Sequence, residues 1–235
     1  MTTEELKQAM INHAKAEYPK EACGIVLTTG EYIPCANTAL DPLKDFELDT
    51  SLFSDSQIAG IFHSHPNATN APSEMDMKGQ LQTAVPWWIC SVDGDKECTE
   101  PYCWGSDYIP PLVGREFRHG ASGTDDKGDC YALIRDYYKQ ERGITLPEFP
   151  RSDGWWKTEQ NLYDDLFTEA GFVQTYEPKV GDVFFAAVLS DKNNHAGILL
   201  DGGLILHHLS GRLSARQPLG LWQRLITKWV TYHNA

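Results

Sequence analysis

Between Cys98 and Phe117 the chain loses its periodicity. Pro101, Gly105, Pro110, Pro111 and Gly114 crowd into one short tract. Proline has no N–H to give and glycine resists regular structure, so no long helix or strand runs through it. The 235-residue chain is therefore expected to build two cores. The boundary is placed near residue 107, giving domains over residues 1–107 and 108–235, each of ordinary domain length.

In the first half, Thr2-x-x-Glu5 forms a capping box. Leu6, Met10, Ile11 and Ala14 share one face, and Pro19 closes a helix over 3–18. Ala22–Leu27 and Gln57–Phe62 read as strands, the second running into His63. A helix from Ser73 to about Ala84 and a strand at Trp87–Val92 follow. In the second half a polar loop, Gly120–Gly128, leads into a helix at Cys130–Glu141. Thr158–Ala170 reads as another helix, closed by Gly171. The apolar runs Asp182–Leu189, His195–Leu200 and Leu204–Leu209 form an antiparallel meander. Trp222–Tyr232 satisfies both a helical and a strand pattern. The whole is a mixed α+β chain.

Lys and Arg number 20 against 33 Asp and Glu, and the net charge is −13. With no cluster of basic residues, a general role on nucleic acid or anionic membrane is excluded. No stretch reaches the roughly 18 apolar residues of a membrane span. The acidic start, Met1–Leu6, lacks the features of a secretory leader, so synthesis in the cytosol is expected. Of the six cysteines, only Cys130 sits where chemistry is expected. Cys98-x4-Cys103 is half of a zinc ribbon without its other half.

His63-Ser64-His65 closes the second strand, and its period of two puts both imidazoles on one face. Asp76 arrives from the first turn of the next helix. Three such ligands with an open fourth position make a catalytic zinc site. Glu21, at the entrance to the first strand, is a carboxylate that can serve as a base. Ser73 can donate to a developing oxyanion. These five residues, with Pro19-Lys20-Glu21-Ala22-Cys23-Gly24, resemble the signature of the JAMM metallopeptidases. The resemblance implies a cytidine-deaminase-like αβ domain that cleaves an amide or isopeptide bond. It implies Zn2+ on His63, His65 and Asp76, with Glu21 as the base for its water. Ser73 would steady the tetrahedral intermediate.

Asp129-Cys130 sits where a loop becomes a helix, and a helix N-terminus favours a thiolate. His195 begins a strand downstream and can act as its base. For a third group the residues leave two choices. A three-residue loop, Asp201-Gly202-Gly203, puts His207 on the face of His195, whereas a two-residue turn puts His208 there. Asp129–Leu133, His195–Leu200 and Phe117-Arg118-His119-Gly120 resemble the NlpC-type papain-like peptidases, with Phe117 where that family has tyrosine. The resemblance implies a papain-like α+β domain that cleaves peptidoglycan stem peptides. Cys130 would be its nucleophile, His195 its base and His207 its third residue. His208 would then face solvent or a partner.

The order of these two domains, together with Gly128–Tyr138 and Ile205–Leu209, resembles the tail assembly proteins of lambda-type bacteriophages. That resemblance implies a zinc (iso)peptidase acting during tail assembly and a Cys-His endopeptidase acting during genome entry. The implied partners are a peptidoglycan stem peptide and other tail-tip proteins, without nucleic acid. The implied location is the host cytoplasm during assembly, then the virion tail tip. Two other readings are a JAMM enzyme that processes ubiquitin-like modifiers and a structural tail-tip protein with vestigial sites.

Overall fold

The capping box sets the start of the first helix. Thr2 Oγ1 accepts the Glu5 N–H at 3.3 Å, and the Glu5 carboxylate accepts the Thr2 N–H at 2.8 Å. The helix α1, Thr3–Glu17, buries Leu6, Met10 and Ala14. In this computed structural model, which describes residues 1–233, the chain divides into two compact units. One is built mostly from residues 1–107 and the other mostly from Tyr108 onward.

After α1 the first unit runs β1 (Cys23–Leu27), β2 (Tyr32–Cys35), β3 (Ile58–Pro66), α2 (Glu74–Thr83), β4 (Trp87–Val92) and β5 (Tyr102–Trp104). The strands form one sheet in the order β2-β1-β3-β4-β5. Only β3 and β4 pair in parallel, because α2 carries the chain back between them. Leu6, Met10 and Ala14 of α1 pack on Val26, Phe62 and Val92. Two strands lay outside the sequence reading. Both are short edge strands, and β2 contains Pro34, which an edge tolerates because no partner needs its missing N–H. The strand β3 also continues past Phe62, so His63 and His65 lie within it.

The second unit opens with a short parallel pair, β6 (Glu116–Phe117) and β7 (Lys127–Gly128). Helix α3 (Cys130–Arg142), helix α4 (Leu162–Leu166) and strands β8 (Phe172–Thr175), β9 (Val183–Ala186), β10 (His195–Leu200), β11 (Leu204–His207), β12 (Ala215–Pro218) and β13 (Ile226–Tyr232) follow. The last six strands make one antiparallel sheet, in the order β12-β11-β10-β9-β13-β8. Leu133, Ile134 and Tyr138 of α3 pack on Val183, Ala196, Ile198, Leu206 and Val230. Helix α3 ends at Gly143, whose φ of 66° is left-handed and natural for glycine.

The helix expected over Thr158–Ala170 shrinks to Leu162–Leu166. The carbonyls of Thr158 and Gln160 are taken by Lys192 Nζ, at 2.5 and 3.0 Å, in place of helical N–H groups. The ambiguous C-terminal run resolves as a strand, with β13 pairing to both β8 and β9. Its β-branched Ile226, Thr227, Val230 and Thr231 suit that pleated setting.

The loop from β10 to β11 is Asp201–Gly203, with Gly202 and Gly203 at φ 69° and 70°. Leu200 pairs with Leu204, so Gly197 lies opposite His207. A Cβ on Gly197 would meet His207 Cβ, the Leu206 carbonyl and Phe184 Cε1, each at 2.7 Å. Gly197→Ala is therefore expected to cost about 1–3 kcal/mol through overpacking. Gly220→Ala, which meets nothing within 4 Å, should cost far less. Urea midpoints of the two variants measure the difference.

Candidate active sites

In the first unit, strand periodicity brings His63 Nε2 to 3.1 Å from His65 Nε2. Two imidazole nitrogens this close can share one proton or one ion. His65 Nδ1 lies 2.8 Å from the Thr69 carbonyl, which can only accept, so Nδ1 carries the hydrogen and Nε2 offers its lone pair. His63 is fully buried. It stacks on Phe46 at 4.6 Å, with Trp87 and Trp104 edge-on at 5.7 and 6.2 Å. Asp76 is set by a reciprocal cap. Its Oδ2 accepts the Ser73 N–H at 2.6 Å, and Ser73 Oγ accepts the Asp76 N–H at 3.1 Å.

One ligand atom from each of His63, His65 and Asp76 falls within 4.8 Å of the others. Donors bound at about 2.0–2.2 Å to one tetrahedral ion lie roughly 3–4 Å apart. The arrangement fits such an ion with little movement, and two imidazoles with a carboxylate suit zinc. It is the one group of three or more His, Cys, Asp or Glu with this geometry among the described residues. Glu21, also buried, stands just before β1. Cys23 pairs with His63, and the Ser64 N–H donates to the Ala22 carbonyl at 3.0 Å. This pairing runs Glu21 alongside the His63–His65 segment.

In the second unit, Asp129 caps α3 by accepting the Ala132 N–H at 2.9 Å. Arg151 grips both its oxygens, at 2.6 and 2.9 Å, and the Gly120 N–H adds a third bond at 3.0 Å. Burial opposes the charge on Asp129, but Arg151 outweighs it and holds the carboxyl below the usual range. The cap fixes where Cys130 begins the helix.

The sulfur of Cys130 lies 3.1 Å from Tyr163 Oη, and α3, which it begins, packs on β10, the strand that opens with His195. Burial, helped by the charge of Asp129, pushes the thiol up to about 11. The expected gain from the helix N-terminus is thus overridden by desolvation. Burial and the neighbouring sulfur suppress the ionisation of Tyr163 as well, so the phenol keeps its hydrogen and can donate to a thiolate. Tyr163 escaped the sequence reading, because nothing local in Leu162–Leu166 marks it.

His195 Nε2 lies 3.1 Å from His207 Nδ1, and both rings are buried. The loop that pairs Leu200 with Leu204 has three residues, so His207 is the histidine on His195's face. Burial drives His195 down to about 3, with His207 and His208 adding to the shift. His208 is fully buried against Phe117, ring centroids 5.3 Å apart. Of the two settings expected from the sequence, solvent or a partner, it therefore does not face solvent. Burial likewise lowers it to about 4.

Residues 114–230 match the NlpC/P60 family, and residues 3–104 match the prokaryotic homologs of the JAB domain. The chain thus joins a JAB-like N-terminal domain to an NlpC/P60 C-terminal domain. It is 37% identical over 236 residues to the tail tip assembly protein K of Escherichia phage N15, covering 95% of this chain and 93% of that protein. It is 35% identical over 175 residues to its namesake in Escherichia phage lambda, covering 72% and 78%. The chain belongs to the tail tip assembly protein K family. The chain is also similar to the desampylase of Haloferax volcanii, 26% identical over 125 residues, covering 45% of this chain and 88% of that protein.

The buried histidines make stability depend on pH. An unfolded histidine titrates near 6.5, whereas His195 and His208 titrate near 3 and 4 in the fold. Between these values the unfolded chain binds protons that the folded one refuses. Stability is therefore complete above pH 6.5 and falls as pH drops toward 4. Urea titrations at pH 7.5, 6 and 5 should show this loss, and His208→Gln should flatten it. A level profile over that range would contradict the burial of these rings.

Proposed function

We propose that this tail tip assembly protein carries two peptidases, one per domain, with the boundary near residue 107. The C-terminal domain cuts peptidoglycan stem peptides or their cross-links as the genome enters the cell. The N-terminal domain cuts an amide or isopeptide bond in another tail-tip protein during assembly. The chain would be assembled in the host cytoplasm and carried in the virion tail tip. No helix among the described residues is long and apolar enough to cross a membrane.

The observation that carries the wall-cutting role is the buried His195–His207 pair at 3.1 Å, which joins β11 to β10, the strand on which α3 packs. A thiol near 11 and an imidazole near 3 rest as a neutral pair. Proton transfer then accompanies attack. As the sulfur bonds to the carbonyl carbon, His195 takes its proton, while Tyr163 donates to the sulfur. His195 returns the proton to the departing amine, leaving a thioester. Water, deprotonated by the same ring, then attacks the thioester carbon, the C–S bond breaks, and the ring returns that proton to the departing Cys130 sulfur. His207 holds the ring in place throughout.

In the N-terminal domain, His63, His65 and Asp76 would hold zinc, which when bound supplies Lewis acidity and a water of pKa about 7. Glu21 would accept the proton of the attacking water. The Ser73 hydroxyl, already fixed by the Asp76 N–H, would turn its own hydrogen toward the oxyanion. The JAB-like match over residues 3–104 and the similarity to a desampylase support a peptidase reading.

Wall digestion followed by mass spectrometry of the fragments tests the proposal. Wild type should release peptide fragments, and Cys130→Ala should slow release by roughly 10³-fold or more. Wild type should bind zinc stoichiometrically, and His63→Ala should lose that zinc yet digest wall normally. Equal digestion by wild type and Cys130→Ala would overturn the thiol assignment. Equal zinc in wild type and His63→Ala would overturn the metal assignment.

A further inference from the structure

Gln217 has no part in the chemistry above, yet it ends a chain of hydrogen bonds that reaches the catalytic ring. Strand β12 pairs Ala215 with His207 and Gln217 with Ile205. This places Gln217 diagonally from His207 on the same face. Its Oε1 lies 3.1 Å from His207 Nε2 and 3.3 Å from Trp222 Nε1.

The indole N–H of Trp222 can only donate. The atom it meets is therefore the carbonyl oxygen of the Gln217 amide, not its nitrogen. That oxygen can only accept, so His207 Nε2 must bear a hydrogen. A neutral imidazole with hydrogen on Nε2 presents Nδ1 as an acceptor. His207 Nδ1 faces His195 Nε2 at 3.1 Å, so the hydrogen between them belongs to His195 Nε2. Neutral His195 is then left with its lone pair on Nδ1. Trp222 also packs against both imidazoles, at 4.4 Å from His207 and 5.1 Å from His195, so neither ring can flip without displacing the indole.

We infer that Gln217, held by Trp222, is a positioning residue that sets the tautomers of His207 and His195 and makes His195 Nδ1 the proton acceptor for Cys130. Only the last link rests on the proposed Cys130 chemistry. The tautomers follow from the hydrogen-bond chain alone. Gln217 does this without charge. A carboxylate there would hold the same tautomers, whereas an apolar side chain would release them.

Histidine ring 15N NMR on the full chain, at a pH where both rings are neutral, reads the tautomers directly. Wild type should show His195 and His207 both protonated on Nε2. Gln217→Leu should leave His207 as a mixture of tautomers and lower kcat for wall digestion by roughly ten- to a hundredfold with little change in KM. Gln217→Glu should restore the wild-type ring signals. Trp222→Phe, which keeps the packing but removes the N–H, should give a partial version of the Gln217→Leu spectrum. Urea midpoints identify any variant that fails to fold, and the wild-type ring signals decide the assignment without it. Hydrogen on His195 Nδ1 in wild type, or unchanged ring signals in folded Gln217→Leu, would overturn the inference. Wild-type tautomers as expected, in a protein that digests no wall, would instead overturn the peptidase reading and leave the tautomer assignment standing.

Discussion

The registration of β10 against β11 is the constraint on which the second domain's site depends. A strand exposes alternate residues to opposite faces, so a single-residue slip would send every side chain to the other side. Two glycines at positive φ close the loop in three residues. Gly197 leaves the space that His207 fills. With that register set, His207 meets His195, Gln217 meets His207, and His208 turns away into the packing around Phe117. None of these contacts is made by the histidines alone. They are consequences of backbone pairing.

Burial then decides the electrostatics. The first turn of a helix favours an anion by about 0.3–1 kcal/mol at an exposed site, but removing a thiolate from water costs more, and Cys130 stays protonated. The same loss of solvent keeps His195 neutral. Asp129 remains ionised in the same environment only because Arg151 grips it with two hydrogen bonds. The domain thus places the Asp129–Arg151 ion pair in the architecture around Cys130 and leaves Cys130 and His195 uncharged at rest.

Much of this was legible in the sequence where the relevant spacing is local. His63-x-His65 needs only the two-residue period of a strand, and the Ser73–Asp76 cap needs only one helical turn. The meander followed from three apolar runs. Opposing contacts across the sheet were less accessible. The choice between His207 and His208 turned on one residue of loop length, which the apolar pattern alone left open. Tyr163 and Gln217 carry no local mark, because their positions beside Cys130 and His207 exist only once α4 and β12 are in place. The thiol's acidity was misjudged for a related reason. A helix N-terminus is visible in a sequence, whereas the depth at which it is buried is not.

The adjacent histidines on β11 give this register a further meaning. Were β11 to slip by one residue against β10, it would present its opposite face, and His208 would lie on the side where His207 lies now. An imidazole would still face His195, although the partnership with Gln217 would be broken. The doublet therefore keeps an imidazole on the face of His195 through a one-residue slip of this hairpin.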